Sequence, residues 1–296
     1  MKVLIGIDGS KEAVAALLAA DRFLIPAGRN LDLLCVAPKL RRCARSQSSR
    51  KDYERSALGE MTRFLEQARA SLPPNRGVVQ LIAETGSPSA SLVSRAADYD
   101  LTVIGPKGRG AAGNLGLGPV ASRVVEHALG PVLIARELRG EGDIRVLAAV
   151  DGSVASVRAV ETLGSLFDLS SAEVCLMHVA ETPWIELGLE EDWVTSSEDE
   201  KEHSEAGILE KELVREGAAV IEQARDLLPR AASVTTRIDE GNPADLILSE
   251  AERGQYDLIV AGATGSRDLK HSMLGSVSSK LAWNAPCSVL IVREPE

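Results

Sequence analysis

The chain alternates short apolar runs with longer segments in which apolar residues recur every three or four positions. The apolar runs are rich in Val, Ile and Leu and are continuous, which is typical of parallel strands buried on both faces. They predict strands at residues 3–7, 31–37, 78–83, 101–105, 132–136, 146–150, 174–180, 234–238, 258–262 and 289–293.

Between these runs, the apolar positions follow helical spacing. One stripe runs from Leu58 to Leu72 and stops at Pro73, and a similar stripe runs from Leu209 to Leu228. Two further helix starts are predicted where a good N-cap residue precedes proline, at Ser87–Pro88 and Asn242–Pro243. Strands that alternate with helices predict an α/β fold with a parallel sheet and right-handed crossovers.

Three motifs occur twice along the chain, in the same order. The matching pairs are 3–10 and 146–153, 99–105 and 256–262, and 132–136 and 289–293. Because the order is identical, we interpret the chain as a duplicated domain. The sequence Arg-Gly-Glu-Gly interrupts the apolar pattern between the copies, and we predict domains at 1–139 and 143–296.

Composition narrows the class of protein. Hydrophobic residues make up 45% of the 296-residue chain and charged residues 26%, which is ordinary for a soluble globular protein. Aromatic residues make up only 3%, so Ala, Val, Leu and Ile must build the core. The net charge of −10 argues against a nucleic-acid surface, which needs concentrated Lys and Arg.

The cysteines and the short apolar runs indicate a compartment. Cys35, Cys43, Cys175 and Cys287 show no CxxC spacing and no neighbouring metal ligands, so no protein metal site is predicted. Cys35 and Cys175 lie in strand-like runs, where a free thiol behaves as a small hydrophobe. No apolar run approaches the roughly 20 residues of a membrane span. We expect a cytoplasmic protein without a membrane segment.

Candidate binding residues follow the strands. Open parallel sheets bind ligands in a crevice at the carboxyl ends of their strands. Asp8 and Asp151 end the first strand of each copy, and Gly105 and Gly262 end the fourth. If these strands are neighbours, an acidic side chain and a glycine loop face one crevice. The alternative role of Asp151 is to cap the following helix.

The second copy has the fuller glycine loop, which runs Gly262-x2-Gly265-x9-Gly275-Ser276. Glycines let the backbone approach an anionic ligand closely. Gly275 and Ser276 then open the last helix, whose first N–H groups and positive dipole end suit phosphate. The hydroxyl of Ser276 can add one hydrogen bond.

This spacing, together with the strand-end Asp-Gly-Ser, resembles the universal stress protein family over nearly all of both halves. The resemblance implies two Rossmann-like domains, each with a five-stranded parallel sheet in the order 3-2-1-4-5. It also implies that the loop holds the ribose and phosphates of ATP, the Asp binds the adenosine end, and second-strand backbone contacts adenine. The implied site comprises Asp151, Val179, Gly262, Gly265, Ser266, Arg267, Gly275, Ser276 and Val277, with magnesium held mainly by the phosphates.

The first copy departs from this pattern at one position. Pro119 stands where the second copy has Ser276. Proline has neither a hydroxyl nor an N–H, so two donors are lost, at about 1.5–3 kcal/mol for a hydrogen bond to a charged group. Proline in a first helical turn is also ordinary helix chemistry. We predict a weakened or repurposed first site, made of Asp8, Val36, Gly105, Gly108 and Gly118.

No catalytic machinery is evident in the sequence. It contains no GxxxxGK[ST] motif, and neither Ser10 nor Ser153 has a partner His. His178 is expected to pack or to line a ligand. Our leading hypothesis is an ATP sensor in the stress response, in which nucleotide occupancy alters contacts between the domains or with another protein, with at most slow ATP hydrolysis. The alternatives are an interaction module without nucleotide binding and an adenylating or hydrolytic enzyme.

Two further expectations concern the connections and the assembly. Residues 39–55 are basic and residues 182–205 acidic, which fits either two solvated, mobile connections or a pair of complementary lids. Under the implied strand order, 132–136 and 289–293 would be apolar sheet edges, which associate unless covered. We therefore predict that these two strands pair within one chain, as an intramolecular pseudo-dimer. The sequence leaves a further homodimer open.

Overall fold

The computed structural model describes residues 1–39, 47–74, 77–109, 116–140, 142–181, 205–265 and 274–294. The first half contains β1 (Lys2–Gly6), α1 (Lys11–Phe23), β2 (Asn30–Pro38), α2 (Gln47–Ser71), β3 (Val78–Gly86), α3 (Pro88–Ala96), β4 (Leu101–Ile104), α4 (Pro119–His127) and β5 (Val132–Ile134). The second half contains β6 (Arg145–Ala149), α5 (Val154–Leu166), β7 (Glu173–Ala180), α6 (Glu205–Arg225), β8 (Ser233–Glu240), α7 (Pro243–Arg253), β9 (Leu258–Gly262), α8 (Ser276–Asn284) and β10 (Ser288–Val292).

All ten strands predicted from the hydrophobic pattern are present, with ends displaced by at most three residues. The predicted N-caps are also observed. The side chain of Ser87 accepts a hydrogen bond from the N–H of Ala90, and that of Asn242 accepts one from Asp245. Local turn chemistry therefore decides where these helices begin.

One prediction about the connections is wrong. The basic segment 39–55 is not a connection throughout, because α2 already begins at Gln47. Tyr53 lies on this added part of the helix, and its hydroxyl donates to the backbone oxygen of Pro38, 2.9 Å away. This contact ties α2 to the end of β2. Residues 40–46 and 182–204 lie outside the described residues.

The strands form one ten-stranded sheet in the order β3-β2-β1-β4-β5-β10-β9-β6-β7-β8. Within each half, every pair of neighbouring strands is parallel. Each half therefore has the expected order 3-2-1-4-5, and the α/β fold is confirmed. The apolar core lies in two layers, one on each face of the sheet, and both layers contain residues from both halves.

The two halves join through the predicted edge strands. β5 and β10 pair antiparallel, with Leu133 opposite Leu290. Nearby, the rings of Phe23 and Phe167 lie 6.2 Å apart, and the N–H of Asp168 donates to the oxygen of Phe23 at 2.8 Å. The intramolecular pseudo-dimer is thus confirmed, and it removes both apolar sheet edges.

A reciprocal pair of arginines strengthens this junction. Arg136, which follows β5, donates to the backbone oxygens of Ala282 and Cys287 at 3.1 and 2.9 Å. Arg293, which follows β10, donates to the oxygens of Val125 and Glu126, both at 2.7 Å. Each guanidinium therefore binds carbonyls near the C-terminal end of the other half's last helix, and Arg136 also reaches the carbonyl that precedes β10. Burial lowers the pKa of both arginines from their ordinary value.

Candidate nucleotide site

Each half has a cavity at the carboxyl ends of its strands, as expected for an open parallel sheet. In the second half it lies where β6, β7 and β9 end, with a volume of about 380 Å³, and we call it the second cavity. It is lined by Ala149, Val150, Asp151, Ser156, Met177, His178, Val179, Ala180, Glu181, Leu213, Glu216, Pro243, Ile247, Ala261, Gly262, Thr264, Gly265, Gly275, Ser276, Val277 and Ser278.

Asp151 is held by the turn that follows β6. Its Oδ1 atom accepts hydrogen bonds from the N–H and the hydroxyl of Ser153, at 3.0 and 2.6 Å. The hydroxyl oxygen of Ser153 in turn accepts from the N–H of Ser156 at 3.1 Å, and Ser153 is the N-cap of α5. The alternative in which Asp151 itself caps the helix is therefore wrong. Asp151 positions the capping serine, and its carboxylate lines the cavity.

The start of α8 provides donors to the same cavity. Gly275 is the N-cap of the helix, and its N–H donates to the oxygen of Ala263 at 2.7 Å. The N–H groups of Ser276 and Val277 belong to the first turn, where a helix supplies no acceptors of its own. With the positive end of the helix dipole, they form a site suited to a negatively charged group.

Gly262 is a glycine for a reason of packing. A Cβ atom on this residue would lie 2.7 Å from the backbone carbon of Ala155 and from the nitrogen of Ser156. The first turn of α5 therefore passes directly over the end of β9. The backbone oxygen of Gly262 accepts a 2.5 Å hydrogen bond from the buried hydroxyl of Ser278, which fixes the first turn of α8 to the same strand end. Sequence analysis did not identify Ser278.

His178 forms part of the cavity wall near Val179. Its Nδ1 atom lies 2.8 Å from the oxygen of Val150. Its ring packs so closely against α6 that a Cβ atom on Gly217 would lie 2.5 Å from Cδ2. Sequence analysis missed this partnership, although a glycine within a helical stripe is a usable signal of close packing. The expectation that His178 packs or lines a ligand agrees with this geometry.

The structure brings most of the residues proposed from sequence into this one cavity. Among the described lining residues, the charged groups are the carboxylates of Asp151, Glu181 and Glu216. Ser266 and Arg267 lie outside the described residues, so their positions stay predictions. Among the described residues, the N-terminus of α8 is therefore the part of this cavity best suited to an anionic ligand.

The first half has a larger cavity, of about 610 Å³, which we call the first cavity. Residues proposed from sequence for the first site lie around it: Asp8, Val36, Gly105, Gly108 and Gly118. The turn after β1 repeats the contacts of Ser153 with Asp151. The N–H and the hydroxyl of Ser10 donate to Asp8 Oδ1 at 3.0 and 2.5 Å. Ser10 is likewise the N-cap of α1.

The phosphate end of the first cavity differs from its counterpart. α4 begins with Pro119 directly after its N-cap Gly118, and the N–H of Gly118 donates to the oxygen of Pro106 at 2.8 Å. The N–H of Arg109, in the glycine loop, donates to Asp8 Oδ2 at 2.8 Å. This loop N–H is therefore engaged by Asp8.

Each half is thus a doubly wound α/β domain with a crevice at the switch point between its first and fourth strands. Comparison with known proteins identifies the family. The model of the universal stress protein family matches residues 1–136 and 145–293. The chain belongs to the universal stress protein family.

Individual relatives agree with this assignment. A universal stress protein of Mycolicibacterium smegmatis is 27% identical over 73% of this chain and 69% of its own length. YxiE of Bacillus subtilis is 33% identical over 50% of this chain and 98% of its own length. The crystal structure of a universal stress protein from Archaeoglobus fulgidus has a TM-score of 0.63 at 17% identity, covering 100% of this chain and 97% of that one. That structure supports the fold. None of the described helices has the length and apolarity needed to cross a membrane.

Proposed function

We propose that the second domain binds an adenine nucleotide, ATP foremost, and that the protein acts as a nucleotide-dependent sensor in the stress response. One observation carries the proposal: the first turn of α8, Asp151 and Val179 line one cavity. The chemistry matches the parts of a nucleotide, which has an anionic end, hydroxyl groups and a flat base. Membership of the family supports the same ligand class.

The roles follow from the geometry of the donors and acceptors. The N–H groups of Ser276 and Val277, with the hydroxyl of Ser276, would donate to phosphate oxygens. The carboxylate of Asp151 can only accept hydrogen bonds, so it suits a ribose hydroxyl. Val179, at the end of β7, would present backbone groups to the base.

Magnesium has a specific purpose in this proposal. The carboxylates of Asp151, Glu181 and Glu216 share the second cavity with the phosphates of the ligand. Repulsion between these carboxylates and the negatively charged phosphates would oppose binding. Magnesium coordinated mainly by the phosphates would reduce that repulsion, and it needs few protein ligands.

A sensor is favoured over an enzyme. Fast phosphoryl transfer needs cationic groups placed around the transferred phosphate. The sequence shows no catalytic machinery of this kind. We propose residues 143–296 as a nucleotide-responsive domain with at most slow hydrolysis, and residues 1–139 as a domain with an altered site. In this proposal, nucleotide occupancy alters contacts between the two domains or with a protein partner in the cytoplasm.

Calorimetric titration of the full chain with ATP, ADP and AMP, with and without magnesium, tests the proposal. We expect one tight site per chain, weaker binding in EDTA, and intact ATP when the mixture is separated by chromatography afterwards. The absence of binding would leave the interaction-module alternative. Rapid conversion of ATP to ADP or AMP would instead establish an enzyme.

A further inference from the structure

The first cavity is larger than the second, and the proposed function leaves it without a ligand. Its volume of about 610 Å³ exceeds the 380 Å³ of the second cavity and suits a small organic molecule. One cause of the difference in volume is a single side chain. Phe64 of α2 packs on Gly9 in the way that Val220 of α6 packs on Gly152, so the two helices can be aligned. In this alignment, Ala57 occupies the position of Leu213 in the second domain. The smaller side chain leaves more room.

The walls of the first cavity are mostly apolar. Two aromatic residues of α2, Tyr53 and Phe64, line it together with Leu34, Met61 and Leu92. The ring of Phe64 packs directly on the backbone of Gly9, so closely that a Cβ atom on Gly9 would lie 2.6 Å from the ring. Such walls favour a ligand that buries apolar surface and offers a ring to the aromatic side chains.

Cys35 adds a neutral wall where the second domain has an imidazole. In the register of the strands, Cys35 of β2 corresponds to His178 of β7. Its side chain is buried, and burial, followed by the charge of Asp8, raises the pKa of the thiol to about 11. The group therefore stays an uncharged, polarisable thiol at neutral pH.

The charged groups of the first cavity are engaged within the protein. Asp8 accepts from the N–H and hydroxyl of Ser10 and from the N–H of Arg109. The guanidinium of Arg109 lies 3.4 Å from a carboxylate oxygen of Glu60 and 4.9 Å from the centre of the Phe64 ring. Lys107 also makes an interaction inside the protein. A charged ligand would have to replace these contacts after losing its own hydration.

The start of α4 also offers fewer hydrogen-bond donors to an anion than the start of α8, because its first residue, Pro119, has no N–H. We propose that the first cavity binds an uncharged, largely apolar molecule that contains a planar ring, and that it rejects nucleoside triphosphates. The two domains then hold ligands of different chemistry in equivalent positions. This inference concerns a site outside the proposed function and stands even if the second domain binds no nucleotide.

A pair of matched fluorescent probes tests the inference on the full chain. N-phenyl-1-naphthylamine is uncharged, whereas 1-anilinonaphthalene-8-sulfonate carries a negative charge on a similar ring system. We expect one site for the neutral probe, about tenfold tighter than for the anionic one, a difference of roughly 1.4 kcal/mol. Saturating ATP should leave the neutral probe bound. Equal or tighter binding of the anion, displacement by ATP, or no saturable binding would each overturn the inference.

Two variants assign the probe to this cavity. Ala57→Trp fills the cavity from α2, and Ser56→Trp fills its mouth from an exposed position on the same helix, where the fold tolerates a large side chain. Each should weaken the neutral probe by roughly tenfold, and neither should alter ATP binding. Leu213→Trp, in the second domain, is the matched control and should leave the probe unaffected. Unchanged probe affinity in both first-domain variants would refute the assignment, and the melting curves identify a variant that is unfolded.

Discussion

The starts of α4 and α8 occupy equivalent places in the two halves, yet they offer a ligand different chemistry. α8 begins with Ser276, and its first turn is tied to the end of β9 by Ser278. α4 begins with Pro119, and Arg109 of its glycine loop is tied to Asp8. Both helices form and both pack on the sheet. The comparison teaches that this fold needs the helix in place but does not need an N–H group at its first residue, so the two copies can differ there without losing their structure.

The largest effect is expected from Gly275→Val. A branched side chain at the N-cap of α8 would occupy the space into which the first N–H groups point. ATP affinity should fall by about a hundredfold or more, which is roughly 3 kcal/mol. Calorimetry measures the change, and Gly118→Val is the control in the first domain. If both variants bind ATP as the unaltered protein does, the start of α8 is not the phosphate site.

Exchanging the first residues of the two helices sharpens the comparison. Ser276→Pro removes one N–H and one hydroxyl, so ATP should bind about 10- to 100-fold more weakly. The helix should still form, because α3, α4 and α7 already carry proline in their first turn. Pro119→Ser should give the first domain little affinity for ATP, since the N–H of Arg109 still donates to Asp8.

Nucleotide titration and thermal unfolding of both exchange variants provide the measurement. A strong second ATP site in Pro119→Ser would show that the proline alone separates the two domains. Unchanged ATP affinity in Ser276→Pro would remove the first turn of α8 from the proposed site.

A third prediction compares the glycines that end the fourth strand of each half. Gly262→Ala should lower the free energy of unfolding by about 1–3 kcal/mol, because the added Cβ would overlap backbone atoms of α5. Gly105→Ala should cost less, since its nearest neighbour would be the oxygen of Glu12 at 3.2 Å. Chemical denaturation of both variants gives the two values. Equal losses would mean that the first turns of α1 and α5 yield to the same extent.

The smallest effect concerns Cys35. Burial raises its thiol pKa to about 11 from the ordinary 9.0, so the folded state favours the protonated form. Its contribution to stability is complete below pH 9 and is lost as the pH rises towards 11. In a Cys43→Ser background, a negatively charged disulfide reagent, which the first cavity should disfavour, should react slowly with the native protein at pH 8 and much faster after unfolding. Fast reaction of the native protein, localised to Cys35 by peptide mapping, would contradict the apolar wall.

Much of the fold was predictable from the sequence alone. The continuous apolar runs specified ten strands, and the repeated motifs specified two similar halves. Ser87 and Asn242 marked helix starts correctly, because capping depends on residues close together in the chain. The error at Gln47 arose because the basic first turns of α2 lack an apolar stripe. Their helical state is supported by contacts such as that of Tyr53 with Pro38.

Only the tertiary structure decided the features that depend on distant residues. These are the contact of His178 with Gly217, the hydrogen bond from Arg109 to Asp8, the reciprocal arginine caps and the different sizes of the two cavities. The physical reason is the range of each signal. Periodicity, capping and turn preferences act within a few residues and can be read along the chain. Packing distances and hydrogen bonds between elements arise only when segments that are distant in the sequence come together, as for Arg109 and Asp8, with a separation of 101.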